Sequence, residues 1–145
     1  MAFKDWNIND LAMSLNAVPL DAGGYADDEV LSLEWAEDQF GDYIGADGEV
    51  SRYRTNDYRA TATLRYAHTA AANDRLSGLF IADTNLPNGA GAGVFSARDQ
   101  EGRLVILAER SWIMALPAIK VGKTVQVYEW KIRLARAQAT FIGGR

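Results

Sequence analysis

Apolar and polar positions alternate through much of this chain. Leu11, Met13, Leu15 and Ala17 interleave with Ala12, Ser14 and Asn16, and Leu31, Leu33 and Trp35 with Ser32, Glu34 and Ala36. In the longest example, Tyr58, Ala60, Ala62, Leu64 and Tyr66 share one phase, while Arg59, Thr61, Thr63 and Arg65 share the other. A period of two puts each set on its own side of a pleated strand, so the pattern predicts half-buried antiparallel strands. Further strands are expected at Val94 to Ala97, at Arg103 to Ala108 and at Trp112 to Leu116, which stops before Pro117. Leu104 to Leu107 is apolar on both sides and reads as central. In the last long strand Val125 and Val127 hold one phase, and Tyr128, Trp130, Ile132 and Leu134 the other. That flip predicts a β-bulge near Val127.

The breaks in this pattern are as informative. Asp47-Gly48 lies between two β-prone runs from Phe40 to Tyr53, and Asp-Gly suits a hairpin turn that needs positive φ. A protruding hairpin is expected over about 37–53, with a second turn at Thr55, Asn56 and Asp57. Helical spacing occurs at Thr69 to Thr84, where Leu76, Leu79 and Phe80 recur at i, i+3 and i+4 and Thr69 or Asn73 can serve as N-cap. Asn85 to Gly93 contains Pro87 and three glycines and reads as a loop. The expected fold class is therefore mainly β: two packed antiparallel sheets, as a sandwich or barrel, with one flanking α-helix.

A length of 145 residues fits one domain, 1–145, without staples, and the chain has no cysteine. Its first ten residues lack the apolar stretch of a secretory signal, and no run approaches the ~20 apolar residues of a membrane helix, so synthesis in the cytoplasm is expected. The net charge of −4 hides a strong asymmetry. Asp21 to Val50 holds ten of the 19 acidic residues and no Lys or Arg, which leaves +6 for the remainder. Such segregation points to a charged partner or to self-complementary stacking.

Catalytic chemistry finds little support. The single histidine, His68, has no second ligand or thiol partner in the sequence. Asp42, Asp47 and Glu49 do not follow a calcium-loop spacing, and the glycines from Gly89 to Gly93 are not followed by Gly-Lys-Ser/Thr. Arg52, Arg54, Arg59 and Arg65, interleaved with Tyr53, Tyr58 and Tyr66, resemble a nucleic-acid platform, but a pI near 4.9 disfavours one. These arginines fit contacts with carboxylates of neighbouring subunits better. Trp6, Trp35, Trp112 and Trp130 offer stacking surfaces for a carbohydrate-binding module, yet Trp35 and Trp130 lie in the apolar phase of their strands, where core packing is expected. No cofactor or metal is called for, and the expectation is a non-enzymatic protein.

Three stretches carry a family resemblance: Gly45-Ala46-Asp47-Gly48-Glu49-Val50 with Arg52 and Thr55-Asn56-Asp57, then Ala72-Asn73-Asp74-Arg75-Leu76-Ser77, then Phe141-Ile142-Gly143-Gly144. With Trp112-Ile113 and Tyr128-Glu129-Trp130, they resemble the tail-tube proteins of contractile-tailed bacteriophages. The resemblance implies a two-sheet fold with a flanking helix, shared with secretion-system and bacteriocin tubes. It further implies rings of six copies stacked into a tube that conducts the genome, with sheath, baseplate and terminator proteins as partners. A terminator or baseplate ring protein is the near alternative. On this view the hairpin bridges subunits or rings, and Asp38, Asp42, Tyr43, Asp47, Glu49, Arg52 and Arg54 are its expected contact residues.

Overall fold

A computed structural model describes residues 5–100 and 104–141. After a 3-10 turn at Ile8–Asp10 the strands are β1 (Leu11–Leu15), β2 (Val18–Pro19), β3 (Leu31–Trp35), β4 (Phe40–Ile44), β5 (Val50–Arg54) and β6 (Ala60–Ala67). The helix α1 (Ala71–Asn85) follows, then β7 (Gly93–Asp99), β8 (Leu104–Ala115), β9 (Val127–Leu134) and β10 (Ala137–Phe141). Strands β4 and β5 form a sheet of their own. The others join in the order β2-β1-β7-β8-β9-β6-β3, with β10 also on β8, and every pairing is antiparallel.

The large sheet becomes two leaves at β8. Ser111 faces Leu134 and Ala108 faces Ala137 in one unbroken register, and the Ala135 N–H donates to the Arg110 carbonyl across the gap at 3.0 Å. β9 and β10 are thus two halves of one interrupted strand. β10 pairs with the first half of β8 and β9 with the second, while β7 runs along the other edge from Val105 to Ser111. Met13, Leu15, Phe95 and Ile106 of one leaf meet Leu64, Tyr66, Trp130 and Ile132 of the other in a single buried cluster. The alternation in β6 is complete: Ala60, Ala62, Leu64 and Tyr66 are each fully buried, while Thr61, Thr63 and Arg65 face outward.

Polar groups fix the layers' relative position. The Tyr66 hydroxyl donates to the Leu20 carbonyl at 2.7 Å, and the Leu20 N–H donates to the Met13 carbonyl at 2.8 Å, so one buried loop residue ties β6 to β1. Burial, helped by Tyr25 and Asp21, raises the Tyr66 phenol above its usual range. Tyr66→Phe leaves that carbonyl without its partner and should cost about 1–3 kcal/mol, read as a lower urea midpoint at unchanged m-value. Above pH ~10 the unfolded chain ionises this tyrosine while the folded one keeps it neutral, so the wild type should also lose stability as pH rises.

The structure corrects several expectations. Ala17 does not continue β1: Asn16 and Ala17 have φ of 50° and 65° and turn the chain into β2, as a two-residue hairpin of primed type requires. Neither Thr69 nor Asn73 caps α1; the N-cap is Ala70, without a side-chain bond. Asn73 instead spans the core, donating to the Ala67 carbonyl and accepting from the Trp130 indole N–H, both at 2.9 Å. The two strands expected around Arg110 are one strand, β8. Pairing of β6 with β9 is regular from Ala67↔Val127 to Ala60↔Leu134, so no bulge sits at Val127. The phase flips there because the strand begins there, and register shifts lie at Gly93/Phe95 and Ile113/Ala115. Trp130 is core, but Trp35 ends the edge strand β3 and is 38% exposed. Arg103 and the Ile142-Gly143-Gly144 part of the closing motif lie outside the described residues.

Candidate assembly interface

Among the described residues the β4–β5 ribbon contributes nothing to the buried core. Phe40, Tyr43, Ile44, Val50 and Tyr53 are 44 to 67% exposed. A lone two-stranded hairpin is marginal in water, so exposed apolar side chains on such an element call for a covering surface. Its register is Phe40↔Arg54, Gly41↔Tyr53, Asp42↔Arg52, Tyr43↔Ser51 and Ile44↔Val50. Directly opposed residues share a face, so one side presents Phe40, Asp42, Ile44, Val50, Arg52 and Arg54, and the other Tyr43 and Tyr53. Both faces carry apolar groups. That suits an element enclosed by partners, whereas one packed on its own domain would keep a polar side.

Local chemistry holds the ribbon in shape. At the tip the Gly45 N–H donates to the Glu49 carbonyl at 2.8 Å, and Asp47 Oδ1 accepts from the Glu49 N–H at 3.0 Å. Gly48 takes φ of 89°, the left-handed position of a three-residue loop with a bulge. Tyr53 lies flat across Gly41, where a Cβ would overlap its ring. The guanidinium groups of Arg52 and Arg54 stand 4.6 Å and 5.1 Å from the Phe40 ring centroid, two cation–π contacts on the exposed face. At the base, Thr55 donates its N–H to the Gln39 carbonyl at 3.1 Å and its hydroxyl to the Asp38 carbonyl at 2.7 Å.

The link to β6 is clipped as well. Asp57 accepts from the Arg59 N–H and from two of its guanidinium nitrogens. Those hydrogen bonds hold the Asp57 carboxyl down at about 2.

Of the seven expected contact residues, six project from the ribbon and Asp38 sits at its base. Asp42 and Arg52 are cross-strand partners, yet among the described residues the ion pairs within 4 Å all lie elsewhere. Arg59 is engaged by Asp57 of its own chain, and Arg65 by Glu29 and Glu129. These two arginines therefore do not stand free for neighbouring subunits, and Arg65 neutralises part of the acidic segment inside the fold. Charge reasoning passed over Phe40, Ile44, Val50 and Tyr53. Their signal was present in the sequence: two β-prone runs around Asp47-Gly48 in which aromatic and β-branched residues fall in both phases.

With this geometry in view, relatives of known type decide the family. Residues 12–142 match the family described as Bacteriophage PhiTE tail tube protein. The chain belongs to this tail tube family. Structural protein ORF10 of Pseudomonas phage KPP10 is 26% identical over 111 residues, covering 77% of the chain and 64% of that protein. The match thus spans just under two thirds of that relative's length.

The fold is shared more widely. The sheath/tube terminator of the PVC extracellular contractile injection system superposes with a TM-score of 0.60 at 10% identity, covering 97% of this chain and 99% of that one. Its sheath-tube complex gives 0.59 at 10% identity over 93% and 90%. A chain of the native gene transfer agent virion gives 0.56 at 13% identity over 94% and 98%. Tail tube family membership makes this a phage structural protein. No helix among the described residues is long and apolar enough to cross a membrane.

Proposed function

We propose that six copies of this chain close into a ring, and that rings stack into the inner tube of a phage tail through which the genome passes. The observation that carries this reading is the β4–β5 ribbon, whose exposed apolar side chains no other described residue covers. Open edges support it. β2 and β3 each pair on one side only among the described residues, and unpaired edges favour continuation of the sheet into a neighbour. A head-to-tail contact between unlike surfaces repeats indefinitely, as a tube requires. A net charge of −4 keeps attraction for passing phosphates low.

The sheath, baseplate and terminator proteins are the further partners, and the site of action is the virion tail. The terminator-like superposition keeps a closed end-ring as the second reading. Negative-stain microscopy of the purified protein at rising concentration separates the two. Stacked rings of growing length are expected. Single rings that never lengthen would make it a terminator, and particles that stay monomeric at every salt concentration would sink the assembly reading.

A further inference from the structure

A second apolar surface lies away from the ribbon. Between β8 and β9 the chain runs through residues 116–126 without regular structure, as an arm lying beside α1. Leu116, Pro117 and Ile119 of the arm, Phe80 and Ile81 of the helix, and Trp130 on the floor line a cleft of about 420 Å³. Ile81, Leu116 and Ile119 are 61%, 55% and 82% exposed. The arm is held only lightly. The Tyr128 hydroxyl donates to the Lys120 carbonyl at a long 3.4 Å, and the His68 ring and N–H bond the backbone of Gln126 at the arm's far end. None of the described residues fills the cleft.

Charge argues for the occupant. The arm carries Lys120 and Lys123 and no carboxylate, whereas the ribbon tip over 42–50 carries Asp42, Asp47 and Glu49 and no Lys or Arg. The tip also presents Tyr43, Ile44 and Val50, each 63 to 67% exposed, which match a groove whose walls are almost wholly hydrocarbon. An apolar centre with a charged rim of opposite sign is the anatomy of a specific protein contact. We propose that the tip of the ribbon from one copy seats in the cleft between α1 and the 116–126 arm of a second copy, with Asp47 and Glu49 facing Lys120 and Lys123. This rests on the self-assembly reading above and names the surface that receives the ribbon. It also gives the arm a role, since loose tethering lets it close over the inserted side chains.

The absence of cysteine from the chain makes the test clean. Ile44→Cys and Ile119→Cys are prepared as separate variants, mixed in equal amounts, assembled and mildly oxidised. A disulfide dimer is expected whose digest joins position 44 of one copy to position 119 of another. Assembled particles in which thiols at position 44 link only to each other, or not at all, overturn the cleft assignment and leave self-assembly standing. Failure of the unmodified protein to associate overturns both.

Charge reversal supplies a second readout that does not depend on packing. Lys120→Glu with Lys123→Glu should raise the concentration needed for assembly about two- to fivefold, as expected for exposed ion pairs. Glu49→Lys in the same chain should recover part of the loss, with Asp47 kept because it closes the tip turn. A combined variant that assembles no better than the lysine variant alone counts against the pairing.

Discussion

Deleting Tyr43 to Gly48 is expected to abolish tube growth and to leave a folded monomer. The deletion joins Asp42 to Glu49, so Asp42 and Arg52 can still pair, now across a short loop of Glu49, Val50 and Ser51. The Thr55 bonds at the ribbon base and the Asp57–Arg59 clip lie outside the deletion, and no buried core residue is removed. Folding should therefore survive, with thermal unfolding as cooperative as in the wild type.

Assembly should not survive it. Tyr43 and Ile44 are each 67% exposed in the free chain. Burying two such side chains in a neighbour is worth about 3–6 kcal/mol, or roughly 10²- to 10⁴-fold in the concentration at which copies associate. Sedimentation velocity alongside far-UV circular dichroism checks both halves. Tubes of normal length from the deleted chain would show that the ribbon is dispensable, and an unfolded product would show that it belongs to the folding unit.

The expected separation of folding from assembly mirrors what could be read in the sequence. Alternation located β1, β6 and β9 because those strands bury one face only, and a period of two records that directly; it located β3 too, although that edge strand buries neither face fully. It failed where the apolar signal is weak or the strand changes its neighbours. β10 alternates Ala137 and Ala139 with Gln138 and Thr140, but small residues give a weak apolar signal that does not stand out as a strand. β8 changes its neighbours from β10 to β9 partway along, so its phases did not read as one strand. Asn73 looked like a helix cap because Asn favours caps, and only the tertiary fold reveals the indole it serves.

The candidate site shows the same division. Its place and its turn were legible from Asp47-Gly48, and its acidity from a simple count. That its apolar side chains stay uncovered was not, because aromatics on a two-stranded ribbon look like core residues until the packing leaves them exposed. The charge dipole along the sequence was also an incomplete guide. Arg65 folds back onto Glu29, so part of the acidic segment is neutralised within the subunit, and of the carboxylates that remain only Asp42, Asp47 and Glu49 lie on the ribbon.

Asn73→Ala should produce the largest loss of stability from a single polar substitution. Its side chain links the start of α1, the end of β6 and the middle of β9, through the Ala67 carbonyl and the Trp130 indole. Trp130 is only 2% exposed, so removing Asn73 takes the protein acceptor from its N–H, and an orphaned buried donor costs about 1–3 kcal/mol on top of the lost bond to the carbonyl. Better helix propensity returns about 0.5 kcal/mol. The expected net loss is about 2–4 kcal/mol, or a Tm lowered by about 5–15 °C.

A double-mutant cycle isolates the cause. Trp130→Phe removes the donor, so Asn73→Ala should cost about 1 kcal/mol less or better in that background than in the wild type. Additive effects would mean that Asn73 acts through the helix alone. Because Trp130 also floors the cleft beside the 116–126 arm, the cycle bears on assembly as well. A variant that keeps its fold at low temperature but loosens this bond should associate more weakly, with the ribbon itself untouched.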